Sequence, residues 1–167
     1  MAQEGVPMQM SENERRQIIG MVGRWAEETE MVGLRAGIRL KGAEKLIAAR
    51  AGVRSLGLVR IVYCDALPVP SNNALYQLGR QLGVFADTHI GLTIGHAVFL
   101  KRGPELRDHG ILAHELMHVA QVERLGGLWE FVTTYFDQVV EKNYFDSPLE
   151  IEARKFAKPF YGRTSNS

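Results

Sequence analysis

The chain predicts an α+β fold, with helices around a small and mainly antiparallel sheet. Three observations carry that expectation. Apolar residues recur at helical spacing in several segments bounded by start and stop signals. Only two stretches, 58–64 and 88–100, have the β-branched, glycine-punctuated look of strands. The length, 167 residues, suits one domain with a substantial core. That domain is expected over 11–161, between loose tails at 1–10 and 162–167, with no internal repeat or low-complexity tract.

Ser11-Glu-Asn-Glu14 has the capping-box pattern and opens a helix through about Glu30, with Ile18, Ile19, Val22 and Trp25 inside. Lys41 to Ala51 is a second helix, stopped near Gly52. A strand over 58–64 leads into the proline-marked loop Leu67-Pro-Val-Pro70. Ser71-Asn-Asn73 caps a third helix running to about Leu82. Thr88 to Leu100 reads as a strand or hairpin, closed by a turn at Arg102-Gly-Pro104. A helix over about 106–124 follows, with Gly126-Gly127 as its stop. An amphipathic helix spans about 128–142, its apolar side formed by Phe131, Val132, Tyr135, Phe136 and Val139 among others. Ser147-Pro148 starts the last helix, whose buried stripe is Leu149, Ala153, Phe156 and Phe160.

The helix at 106–124 contains His114-Glu-Leu-Met-His118, the pattern H-E-x-x-H. Residues four apart share a helix face, so both imidazoles can reach one point. Two neutral imidazoles hold Zn²⁺, and a carboxylate beside the metal can take a proton from water there. Glu115 has that place. The surrounding run from Ile111 to Val122 is apolar nearly all round, which marks a buried helix, and buried histidines need partners. The expected chemistry is zinc-dependent peptide hydrolysis with Glu115 as general base.

A catalytic zinc site takes three protein ligands and leaves one position open. No histidine follows His118, so the third ligand is expected to be a carboxylate. Glu123 is rotated away on the same helix, and Glu130, Asp137 and Glu141 read as the solvated face of the next one. Glu150 and Glu152 remain, on opposite sides of the last helix's buried stripe. Ser147-x-x-Glu150 is also a capping box, which would turn Glu150 back to the Ser147 amide. Glu152 could instead pair with a basic neighbour. The residues alone leave the two level.

His114-Glu-Leu-Met-His-Val-Ala-Gln121 followed by Pro148-Leu-Glu-Ile-Glu-Ala-Arg154 resembles the gluzincin-type metallopeptidases. The nearest likeness is to bacterial metallopeptidase-like domains carrying H-E-L-x-H-V-x-Q and then P-x-E-x-E-A. A more distant one is to the membrane-embedded zinc proteases that cleave prenylated or misfolded proteins, whose third ligand opens an E-x-x-A-D motif. The resemblance covers roughly residues 90–157 and implies a minimal zincin-like fold, one Zn²⁺ ion and a third ligand at Glu150, with Glu152 in reserve. It also puts Arg154 where the family has an Asp. An arginine cannot accept a hydrogen bond from a ligand histidine.

Tyr144, between the last two helices, is the candidate for stabilising the oxyanion; His109 is a weaker one. Gln121 either braces the site or bonds substrate backbone. Gluzincin-like folds set an edge strand beside the active helix, and 93–100 resembles it in position. That position would bring His89 and His96 near the cleft, but the outer face of a half-exposed strand is the expected place for both.

A formal net charge of +1 argues against a nucleic-acid partner, and the 46% hydrophobic and 23% charged fractions are ordinary for a globular chain. Seven basic residues between Arg35 and Arg60 face only Glu44, and are expected on the wet faces of helices. Cys64 is the single cysteine, so no intrachain disulfide can form. No apolar run approaches a membrane span, and the N-terminus lacks the pattern of a signal peptide, so a cytoplasmic location is expected. The partner implied is a peptide or protein substrate. Two alternatives share the motif: a catalytically silent metal-binding or interaction module on a peptidase fold, and an effector or toxin domain exported by a signal-less route.

Overall fold

The computed structural model describes residues 8–162, so 1–7 and 163–167 of the expected tails lie outside the described residues. Six helices and four strands follow one another as α1 (Glu12–Ala36), β1 (Ile38–Arg39), α2 (Gly42–Ala51), β2 (Arg60–Cys64), α3 (Asn73–Gln81), β3 (Gly91–Ile94), β4 (Ala97–Lys101), α4 (Gly110–Leu125), α5 (Leu128–Asp146) and α6 (Pro148–Ala157). The fold is α+β. No described helix is long and apolar enough to cross a membrane.

The start signals act largely as read. Ser11 and Glu14 form the reciprocal capping box of α1, and the Asn72 side chain accepts from the Leu75 amide at the head of α3. However, α1 runs six residues past the expected end at Glu30. Gly33 does not break it, because Gly33 is where the helix lies against the sheet. A Cβ there would come within 2.5 Å of the Ala97 Cβ. The contact with β4 outweighs the propensity cost of a helical glycine, about 1 kcal/mol. The helix expected from 106 begins at Gly110 instead; residues 104–107 form a 3₁₀ turn. In α5 the regular helix breaks at Asn143, whose φ of 69° is left-handed, close to the expected end at 142.

The sheet is mixed rather than mainly antiparallel. Its strand order is β1-β2-β4-β3; the outer pairings are antiparallel, and the central β2–β4 pairing is parallel. Alternation along a strand fixes which face a residue takes but not the direction of its neighbour, so this was not readable from the residues. In β4, Val98 and Leu100 face a core built with α2, α4 and α6, while Ala97 and Phe99 face α1 and Val132 of α5. A third cluster, Val122, Phe131 and Leu149, joins α4, α5 and α6. Each fully buried aliphatic side chain there contributes ~1.5–3 kcal/mol.

Of the seven basic residues over 35–60, only Arg35, Lys45 and Arg50 lie on helices; Arg39 and Arg60 belong to strands, and three of the seven are engaged. Arg54 pairs with Glu123, Arg50 lies over the Phe160 ring, and Arg60 donates to the carbonyls of Gly57, Leu58 and Val59. Asp137 is not simply a solvated charge. It takes two hydrogen bonds from Arg15, at 2.7 and 2.6 Å, and ties α5 to α1.

Candidate metal centre

Helix α4 runs through the core, and from Leu112 to Val122 only His114 is more than marginally exposed. His114 and His118 fall on one face with ring centroids 4.8 Å apart, and their Nε2 atoms are 3.1 Å apart. The third group comes from α6. Glu150 is buried, with Oε2 at 3.0 Å from His114 Nε2 and Oε1 at 3.3 Å from His118 Nε2. His114, His118 and Glu150 thus offer three ligand atoms within 4.8 Å of one another.

The expected capping box at Ser147 does not form. Ser147 is the N-cap of α6, yet its side chain makes no cap bond and its Oγ has no hydrogen-bond partner. Gln138 of α5 serves instead, its Oε1 accepting from the Leu149 amide at 3.0 Å. That frees Glu150 to turn toward α4, where Tyr135 donates its hydroxyl to Glu150 Oε1 at 2.7 Å. Glu152 is directed elsewhere. It takes two hydrogen bonds from Arg124, at 2.9 and 2.6 Å, and one from Gln121 Nε2 at 2.8 Å.

The residues present fit a metal ion. Glu150 Oε2 is buried and lies 3.0 Å from His114 Nε2, but without the alignment of a hydrogen bond. Four-coordinate zinc, ~2.0–2.1 Å from each ligand, separates its donors by roughly 3.3 Å, close to these spacings. The donor set, two imidazoles and one carboxylate, is that of a catalytic rather than a closed structural site. The same groups perturb one another electrostatically. Burial opposes the charge on His118, but the Glu150 carboxylate outweighs it and pushes the imidazole up to about 9. Burial likewise would raise Glu150, and the charge of His118 holds it well below the usual carboxylate range.

Glu115 is buried beside the pair. Thr93 of β3 donates to Glu115 Oε2 at 2.7 Å and lies 2.9 Å from its carbonyl oxygen, engaging Oε2 and not Oε1. A Cβ on Gly91 would come within 2.5 Å of Glu115 Oε1, so the strand can approach this carboxylate only with glycine there. β3 is an edge of the sheet, and β4 is interior. The stretch resembling an edge strand is therefore two strands, and the edge is 91–94.

Tyr144 follows the break at Asn143 and lines the same cavity as His114, Glu115 and Glu150, about 130 Å³ in volume. Burial, then the nearby Glu150 and Glu115 carboxylates, push its phenol well above the ordinary tyrosine value. His89 lies against Tyr144 with ring centroids 4.7 Å apart and planes tilted by 36°, and lines that cavity rather than an outer face. His96 is not solvated either: its Nε2 is 3.0 Å from Glu123 Oε1, and its amide donates to Glu30. Glu123 is turned from the centre as expected, held also by the Arg54 and Ser55 amides. His109 sits at the N-terminal end of α4 and makes no cap bond.

Tyr135 and Thr93 were missed in the sequence. Tyr135 reads there as part of an apolar stripe, and only the α5–α6 turn brings its hydroxyl to Glu150. Arg154, where the resembling metallopeptidases have an Asp, sets its guanidinium 4.4 Å from the Phe145 ring centroid and donates a hydrogen bond to the Phe145 carbonyl. No family model, curated protein or solved structure matches the chain. The reading of the centre therefore stands on its own geometry.

Proposed function

We propose that this chain is a zinc-dependent peptidase of zincin-like architecture, with His114, His118 and Glu150 as the metal ligands. One observation carries the reading: two imidazole nitrogens and a buried carboxylate converge beside a second carboxylate, Glu115, inside a cavity. A zinc ion held there would acidify a water and polarise the substrate carbonyl. Glu115, oriented through Oε2 by Thr93, is placed to hold the proton that such a water would release and to hand it to the leaving amine. The Tyr144 phenol, lining the same cavity, is the donor to the carbonyl oxygen as negative charge develops on it. Tyr135 holds Glu150 in place.

The cavity indicates the substrate class. Apart from the groups at the centre it is lined mostly by apolar side chains of α1, α3, the loop after α3, β3 and α5, among them Val22, Trp25, Leu78, Phe85, Phe136 and Val139. A peptide with a bulky apolar side chain beside the scissile bond suits it, and its backbone can pair with the free edge of β3. The test is zinc-loaded protein on a mixed peptide library, read by mass spectrometry, beside Glu115→Gln. The expected result is cleavage next to large apolar residues, falling by at least ~10²-fold in Glu115→Gln with zinc retained. Equal cleavage by both proteins would overturn the mechanism.

A further inference from the structure

We infer that Gln121 is the positioning residue of the centre: it fixes the tautomer of His118 and locks the two ligand-bearing helices together. This rests on the proposed zinc site and adds to it a residue that touches neither metal nor substrate.

The argument begins with hydrogen-bond accounting. Gln121 is fully buried, so its amide must find every partner within the protein. It has three close polar neighbours: the Leu149 carbonyl at 3.0 Å, Glu152 Oε2 at 2.8 Å and His118 Nδ1 at 2.7 Å. The Leu149 carbonyl can only accept. Glu152, ion-paired with Arg124, also only accepts. Both must therefore face the amide NH₂, and a flipped amide would set its oxygen against two acceptors. That leaves Gln121 Oε1 toward His118, where it can only accept. His118 Nδ1 then carries the proton, and Nε2, which faces His114 and Glu150, has its lone pair free for a metal. Ligand histidines commonly give their other N–H to such a partner, which sets ring orientation and basicity.

The same side chain spans both halves of the site. Gln121 is one turn beyond His118 on α4, and Leu149 directly precedes Glu150 on α6. A single amide thus sets the spacing of one imidazole and the carboxylate that share the metal. Arg124, one turn beyond Gln121, holds Glu152 in place behind it. The row Arg124, Glu152, Gln121, His118 supplies what Arg154 cannot, because Arg154 is a donor turned toward Phe145.

The experiment combines ¹⁵N–¹H correlation spectra of zinc-loaded, histidine-labelled protein with zinc titration by calorimetry. In the unaltered protein His118 should show a slowly exchanging Nδ1–H and a zinc-bound Nε2. Gln121→Leu should lose that protected signal and bind zinc 10–100-fold more weakly. Gln121→Met keeps the shape without the acceptor and should lose the Nδ1–H signal as well. Zinc on His118 Nδ1 in the unaltered protein overturns the inference while leaving the proposed function standing, and needs no variant to fold. A retained Nδ1–H signal and undiminished zinc affinity in Gln121→Met would reduce Gln121 to a packing role. Protein that takes up no zinc overturns the proposed function, and this inference with it.

Discussion

At the residue scale, the centre is made by side chains whose alternatives are closed off one at a time. Glu150 faces the histidines because Gln138 caps α6 in place of Ser147. Glu152 is excluded as a ligand because Arg124 and Gln121 occupy both its oxygens. Two nearly equal carboxylates thereby receive different roles. Glu115 depends in turn on a missing side chain, since only glycine at 91 lets β3 approach its carboxylate. Gly91→Ala is expected to displace Glu115 and lower kcat by roughly 10–10²-fold, because small misplacements of a catalytic group are costly. Zinc content should stay at the unaltered level. Steady-state kinetics with metal analysis on the same preparation would decide it, and an unchanged kcat would show that Glu115 has room to move.

At the element scale, the turn between β3 and β4 is held by His96. Its ring bridges Glu123 of α4 and approaches Glu30 of α1, with Arg54 on the far side of Glu123. The hydrogen bond with Glu30 outweighs the cost of burial and raises His96 above its ordinary 6.5. Burial works against Glu30 and Glu123, but their bonds with His96 and, for Glu123, the Arg54 amide lower both below 4.5. A raised histidine stabilises the fold below its unfolded pKa, and that contribution is lost as pH rises through the folded value. Lowered carboxylates stabilise above their unfolded pKa and lose their contribution as pH falls through the folded one. The cluster should therefore contribute most at about pH 5–6.5. Urea unfolding of the unaltered protein and His96→Gln should show their largest difference there, shrinking by pH 8.5. A difference that is constant with pH would remove the ionic account.

Helices were legible because caps and apolar stripes are local. Ser11, Asn72, Gly52 and Gly126 mark ends that depend only on nearby residues. What was not legible depends on distant partners. Gly33 reads as a weak point until β4 lies against it, and His89 and His96 read as surface polar groups until Tyr144 and Glu123 meet them. His114 and His118 could be paired from spacing alone, since a helix fixes residues four apart. Glu150 was favoured over Glu152 only through the likeness to known metallopeptidases, because the α5–α6 turn that brings it to the histidines is specified by no short-range pattern.

At the scale of the whole molecule, the layers set the centre between its parts. The sheet carries α2, α4 and α6 on one face and α1 on the other, and α5 closes over the cavity from the α1 side. The ligands come from α4 and α6, so a bound ion would link two elements far apart in sequence. Binding to the folded state alone stabilises by mass action, ~4 kcal/mol at a thousandfold excess over Kd. In a chain of this size that corresponds to a rise in Tm of roughly 8–16 °C. Calorimetric scans with and without zinc should show it in the unaltered protein and not in His118→Ala. An equal rise in both would mean that zinc binds elsewhere.

The most direct measurement is the metal content of protein purified without added metal, taken together with Glu150→Ala and Glu152→Ala. The account predicts about one zinc per chain, lost in Glu150→Ala and kept in Glu152→Ala. Metal-free protein that takes up no added zinc, or zinc lost only in Glu152→Ala, would contradict it.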